Sequence, residues 1–264
     1  MNHLYRVFAV VLLIGVSSGC HTLDKTLVHR EWMVDGVARE ALVHLPPAGA
    51  TNAAPVIFAF HGHGGSMERS AEMFNYQALW PEAIVVYMQG LHSPGKLSDS
   101  QGKKPGWQFA VGEEGDRDLK FFDAALASLE HEYRVDERRI YASGHSNGGA
   151  FTYLLWAARG DRFAAFVISG SAAPDLLTQL KPKPLLAVTG RNDPFVKPSM
   201  QRETIDAVRK INECGEGQTG ERFCTIYPSK IGATVETYIF RGTHNFLPGA
   251  QPVAVKFMKD HPKP

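Results

Sequence analysis

The chain alternates polar and apolar positions near its start and turns to continuous apolar runs further on. Residues 31–34, the dipeptide Asp35-Gly36 and residues 37–45 predict a β-hairpin. Asp-Gly suits a two-residue turn, and Val37, Ala41, Val43 and Leu45 fall on one face. The runs VIFAF (56–60) and IVVYM (84–88) have no polar alternation, as expected of strands buried on both faces. Leu119, Phe122, Leu126, Leu129 and Tyr133 recur at helical spacing, which predicts a helix over 118–133. Asp116 and Asp118 sit favourably at its positive N-terminus. Further strands are expected at 140–142, 166–169, 185–189 and 235–240, with helices over 148–159 and 199–211 between them. Strand and helix in alternation imply a mostly parallel central sheet with helices on both faces, entered through an antiparallel N-terminal hairpin. Residues 90–106 are polar, rich in Gly, Pro, Ser and Lys, and without periodicity, so they are expected to form a substrate-facing loop.

Composition narrows the function classes. The 264 residues carry 28 basic and 27 acidic side chains, and this near-neutral balance lacks the basic surplus of a nucleic-acid binder. No apolar run reaches the ~18 residues of a spanning helix. The first twenty residues still have the pattern of an export signal: Arg6, an apolar stretch over 7–16, then Ser17, Ser18 and Gly19 before Cys20. Cysteine directly after Gly19 resembles the lipobox of bacterial lipoprotein signals, although Ser17 stands where such signals usually carry Leu. The expectation is a signal peptide over 1–19 and one α/β domain over 20–264, tethered to a membrane by acylation of Cys20. Plain cleavage to a secreted or periplasmic enzyme is the alternative. In an oxidising compartment Cys214 and Cys224, ten apart in CGEGQTGERFC, are expected to form a disulfide.

The candidate chemistry lies at strand ends. Gly144-His145-Ser146-Asn147-Gly148 follows an expected strand and opens an expected helix, which is the setting of the G-x-S-x-G nucleophile elbow. A serine hydroxyl needs a base, and the base needs a carboxylate to fix its tautomer. Asp193 follows the strand LLAVTG and His244 follows VETYIF, so both fall at the carboxyl edge of the sheet, where such sheets place ligands. Asp175 is the rival acid, in a Pro-flanked loop. His145 is expected to point away from its neighbouring serine. His61-Gly62-His63-Gly64-Gly65 directly follows a strand, and the amides of His63 and Asn147 are the expected oxyanion donors. A metal site on His61 and His63 is disfavoured, because Gly64, Gly65 and Ser66 stand where further ligands would be needed. No cofactor is expected. Trp107, after the polar loop, is a candidate substrate contact.

Together FHGHGGS, GWQF, GDRDLKFFDAAL, YRVDERRIYASGHSNGGAFTYLLW, RFAAFVISG, TGRNDPFV and GTHNF resemble the α/β-hydrolase superfamily. More narrowly they resemble its polyhydroxybutyrate depolymerase and feruloyl/acetylxylan esterase group. The resemblance implies a serine carboxylic-ester hydrolase working through an acyl-enzyme, with Ser146, Asp193 and His244 as the triad. It implies a short acyl ester as substrate, on plant polysaccharide or as a hydroxyalkanoate. This chain has Thr243-His244-Asn245-Phe246-Leu247-Pro248-Gly249 where that group often has G-H-x-W-P-G, and it lacks the cysteine often found before Trp107. A prolyl-oligopeptidase-like serine peptidase and a non-catalytic binding module on the same fold are the alternatives.

Overall fold

The structure, a computed structural model, describes residues 26–47, 52–221 and 223–264. The signal segment and Cys20 therefore lie outside the described residues. The hairpin forms as β1 (Leu27–Val34) and β2 (Val37–His44) around Asp35 and Gly36, both at positive φ (51° and 80°) as a two-residue turn demands. The apolar runs become β3 (Ala54–Phe60) and β4 (Ile84–Met88), buried along their whole length. Between these two strands lie helices α1 (Met67–Phe74) and α2 (Tyr76–Leu79). The polar loop after β4 is pinned at its base by two short paired strands, β5 (Leu91–His92) and β6 (Pro105–Gly106).

Helix α3 (Arg117–Glu132) precedes β7 (Val135–His145), which feeds α4 (Asn147–Arg159). The chain continues through β8 (Ala165–Ser169), β9 (Leu185–Gly190) and α5 (Pro198–Ile211). A hairpin of β10 (Gln218–Thr219) and β11 (Cys224–Tyr227) leads to β12 (Val235–Phe240) and α6 (Ala250–Asp260). Apart from β5 and β6, the described strands form one sheet in the order β1-β2-β4-β3-β7-β8-β9-β12-β11-β10. The segment from β4 to β12 is parallel, with antiparallel strands at both edges.

Alternation along each central strand sends side chains into two cores. In β3, Val56, Phe58 and Phe60 face one layer with α3 and α4, while Ile57 and Ala59 face the other with α1, α2 and α6. Burial on both faces is why these strands carry no polar alternation. It also leaves the strand ends as the places where polar chemistry can reach solvent. Because β3, β7, β8, β9 and β12 are parallel, their carboxyl ends open on one edge of the sheet. Among the described residues no helix is long and apolar enough to cross a membrane.

The expected disulfide is not formed: Cys214 and Cys224 are both free. Register explains this. Cys214 pairs with Ser229 at the open end of the β10–β11 hairpin, whereas Cys224 sits by the turn, where its carbonyl accepts from Gly220. Ser229 lies five positions beyond Cys224 along an extended segment, about 16 Å at the usual rise, and a disulfide tolerates Cα atoms only about 7 Å apart.

Candidate active site

Ser146 stands between β7 and α4 with φ 57° and ψ −121°, a conformation costly to a residue with a Cβ. Two glycines permit the turn. A Cβ on Gly144 would stand 2.1 Å from the Gly148 carbonyl oxygen, and one on Gly148 would stand 2.3 Å from that of Phe60. The strand, the helix and the end of β3 therefore approach more closely than any side chain allows. The positive end of α4 lies directly behind the serine.

Asp193 and His244 meet at the same edge. The His244 Nδ1–H donates to Asp193 Oδ2 at 2.7 Å, with the acid's side chain fully buried and the imidazole 12% exposed. The remaining lone pairs of Asp193 are also engaged. Oδ1 accepts from the amides of Phe195 (2.9 Å) and Val196 (3.0 Å), and Oδ2 accepts from buried Gln201 Nε2 (3.0 Å). These bonds fix the carboxylate, and the carboxylate fixes the tautomer that leaves Nε2 of His244 as an acceptor. Ser146 and His244 line one cavity of about 450 Å³, and no hydrogen bond joins the serine hydroxyl to the ring in this structure. Such contacts often tighten only when substrate arrives. The rival acid, Asp175, lies at the rim of the cavity with its side chain 83% exposed, 3.8 Å from Lys96 Nζ and not joined to His244.

His145 packs its ring against that of His244, with centroids 4.6 Å apart, and its Nδ1 pairs with Ser169 Oγ at 3.1 Å. Burial, aided by the neighbouring His244, pushes its pKa down to about 3. It is a neutral wall behind the imidazole. His61 is likewise committed: Nε2 accepts from the Gly90 amide (2.9 Å), Nδ1 pairs with the Gly62 carbonyl (2.8 Å), and burial lowers its pKa to about 4. His63 binds Asp99 through Nε2 at 3.1 Å. Among the described residues no group of three or more His, Cys, Asp or Glu gathers to hold a metal.

The glycine loop after β3 approaches the serine closely, since a Cβ on Gly62 would stand 3.2 Å from Ser146 Cβ. Among the described residues the backbone N–H groups of His63 and Asn147 meet no acceptor, and both residues line the cavity. The side chain of Asn147 is spent elsewhere. It accepts from the Trp107 amide at 2.8 Å and donates to the Trp107 carbonyl at 3.1 Å.

Trp107 corrects the sequence expectation. It is fully buried, stacks on Phe151 with centroids 5.3 Å apart, meets Phe60 edge-on and donates Nε1–H to the His61 carbonyl at 2.9 Å. It is a core residue beneath the site. The cavity wall is instead Leu97, Phe109, Leu176, Phe195, Val196 and Met200. Leu97 lies in the loop expected to face substrate, and Phe195 and Val196 directly follow Asp193. Phe109, two positions past Trp107, is the aromatic of this segment that lines the cavity.

Residues 100–181, which include Ser146, match the Prolyl oligopeptidase family. Among curated relatives, NocK of Nocardia uniformis is 27% identical over 182 residues, covering 65% of this chain and 50% of that protein. "Probable feruloyl esterase C" of Aspergillus niger is 29% identical over 206 residues, covering 74% of this chain and 69% of that one. Among solved structures, the acetyl xylan esterase from Aspergillus awamori superposes with TM-score 0.65 at 13% identity, covering 87% of this chain and 99% of that one. The chain thus spans half the length of the first of these relatives.

Proposed function

We propose that this chain, which has the α/β-hydrolase fold, is a serine carboxylic-ester hydrolase acting through an acyl-enzyme. The observation that carries the reading is the 2.7 Å bond from His244 to buried Asp193 in the cavity that Ser146 also lines. It supplies a base of fixed tautomer on the side of the serine. Ser146 Oγ attacks the ester carbonyl carbon as His244 Nε2 takes its proton, and the carbonyl oxygen becomes the oxyanion. The free amides of His63 and Asn147, at the positive end of α4, receive that charge. Collapse breaks the ester bond, and His244 returns the proton to the departing alcohol oxygen. Water then repeats the sequence against the acyl-enzyme and frees the acid and Ser146. No cofactor enters any step.

The apolar walls Leu97, Phe109, Leu176 and Val196 suit a short aliphatic or aromatic acyl group. The feruloyl and acetylxylan esterase names among the relatives favour such esters, and the polyhydroxybutyrate depolymerase resemblance adds hydroxyalkanoate oligomers. The N-terminal signal pattern supports export, with Cys20 as the acylated anchor. A panel of p-nitrophenyl acetate, methyl ferulate, acetylated xylo-oligosaccharide and hydroxybutyrate oligomers tests the reading. Turnover of at least one ester, lost in Ser146→Ala, is expected, and equal turnover by both proteins defeats it. The match of residues 100–181 to a peptidase family favours a second reading, cleavage of peptide bonds. Release of p-nitroaniline from prolyl or acyl-aminoacyl anilides, with every ester inert, would select it.

A further inference from the structure

The catalytic groups leave one partly buried contact beside the cavity unexplained, that between His63 and Asp99. His63 supplies the amide assigned above to the oxyanion, yet its neighbours Gly62, Gly64 and Gly65 have no side chains to hold that amide in place. The ring does so instead. Nε2 meets Asp99 Oδ2 at 3.1 Å, with the two side chains only 13% and 10% exposed. The ring's other edge lies on the backbone of Gly106, where a Cβ would stand 2.6 Å from Nδ1.

Asp99 is itself built to be still. It takes a left-handed φ of 58°, unusual for a residue with a Cβ. Its carboxylate accepts the amides of Lys103 (3.0 Å) and Lys104 (2.8 Å), and its carbonyl accepts those of Gly95 (3.2 Å) and Gly102 (3.0 Å). The Lys103 amide leads the causes that hold its carboxyl below the usual carboxylate value. One residue thus gathers residues 93–104 into a compact flap, closed at its base by the pairing of β5 with β6. The stretch Gly95, Lys96, Leu97 and Ser98 of that flap lines the cavity. A second tie, from the Gly64 amide to the Pro105 carbonyl at 2.7 Å, joins the same two loops.

We propose that Asp99 is a positioning residue that acts through His63. It locks the substrate-lining flap to the glycine loop and thereby aims the His63 amide at the oxyanion. The proposal rests on the ester-hydrolase reading. Two consequences separate this role from a general structural one. The oxyanion develops only in the transition state, so loosening the lock lowers kcat and leaves KM nearly unchanged. A tetrahedral boronic-acid inhibitor, which occupies the oxyanion position, weakens in step with kcat.

The test compares wild type with Asp99→Ala, His63→Leu, His63→Gln and the double variant Asp99→Ala/His63→Leu. Active sites are counted by fluorophosphonate titration, so that unfolded protein does not enter kcat. Asp99→Ala and His63→Leu are expected to lose about 10–100-fold in kcat, less than loss of a whole oxyanion donor. KM should change under about threefold, and phenylboronic acid affinity should fall in parallel with kcat. His63→Gln keeps a side-chain N–H within reach of Asp99 and should retain most of the activity. The double variant should be no worse than either single one, because both break one contact. A wild-type kcat in both single variants overturns the proposal, as does a loss confined to KM or unchanged boronate affinity. Wild type that titrates with fluorophosphonate but cleaves no ester overturns the ester-hydrolase reading itself, a different result.

Discussion

Replacing Asp118 by Asn is expected to destabilise the protein by about 3 kcal/mol by breaking a buried ion pair. Asp118 on α3 is fully buried and faces Arg39 on β2, whose side chain is 1% exposed. Its two oxygens serve two donors: Oδ1 takes Arg39 Nη2 at 2.7 Å and Oδ2 takes the Gln108 amide at 2.9 Å. Asn offers one acceptor for these two donors and turns an NH2 toward the other. It also removes the charge that offsets a buried guanidinium, whose pKa burial already lowers despite Asp118. Removing one partner of a buried pair costs about 3–5 kcal/mol. Arg39 keeps its bond to the Arg117 carbonyl (2.9 Å) and its stacking on Phe121 (4.4 Å), which places the value at the lower end. For a chain of this size that loss corresponds to a Tm drop of about 6–12 °C. Urea unfolding at pH 7, followed by tryptophan fluorescence, measures it. The double variant Arg39→Met/Asp118→Leu removes both charges together and should recover most of the loss. Asp118→Asn within about 1 kcal/mol of wild type would refute the reasoning, because an uncompensated buried cation cannot be that cheap.

Trp107→Ala should cost about 3–5 kcal/mol of stability as a core truncation, whereas Phe109→Ala should leave stability nearly intact and raise KM for aromatic esters. Thermal melts with ester kinetics separate the two. His61 and His145 stay neutral in the fold to about pH 4 and pH 3, while in the unfolded chain they take protons below about pH 6.5. Their contribution to stability is therefore complete above pH 6.5 and is lost as pH falls toward 4. Near pH 5 each contributes a slope of about 1.4 kcal/mol per pH unit. Urea midpoints from pH 7 to pH 4.5 should show a shallower decline in His61→Gln, and identical slopes would contradict the assignment. Thiol titration of unfolded, unreduced protein should find Cys214 and Cys224 both free, and a peptide pair linked through them would contradict the hairpin register. Processed protein from a bacterial host should begin at an acylated Cys20, and an unmodified N-terminus downstream would remove the anchor.

Much of the fold is legible because the signals are strong and local. The runs that became β3 and β4 are apolar on both faces, and the stripe of α3 has one period throughout. The strand β7 was harder, since its first half, VDERR, is polar and half exposed and pairs only through Val135 with Ala54, while the buried half from Ile140 onward pairs with β3 and, from Tyr141, with β8. Helix α1 had a readable start, for Ser66 Oγ accepts from the Arg69 amide, but eight residues are too few for periodicity to declare. The placement of Ser146, Asp193 and His244 at one edge was legible because each follows a strand of the parallel sheet. Trp107 and Phe109 were not distinguishable in a loop, where alternation gives no face. Which aromatic turns inward depends on Asn147 clamping the Trp107 backbone, a contact 40 residues away. Cysteine spacing likewise carried no register, so it could not reveal that the hairpin holds the two thiols apart.

The proposed reaction requires Ser146 to be a nucleophile activated by His244. Incubating the protein with a fluorophosphonate and mapping the adduct by peptide mass spectrometry tests that most directly. Stoichiometric phosphonylation of the Ser146 peptide is predicted, absent in Ser146→Ala and strongly slowed in His244→Ala and Asp193→Ala. Labelling of another residue in wild type, or undiminished labelling of Ser146→Ala, would contradict it.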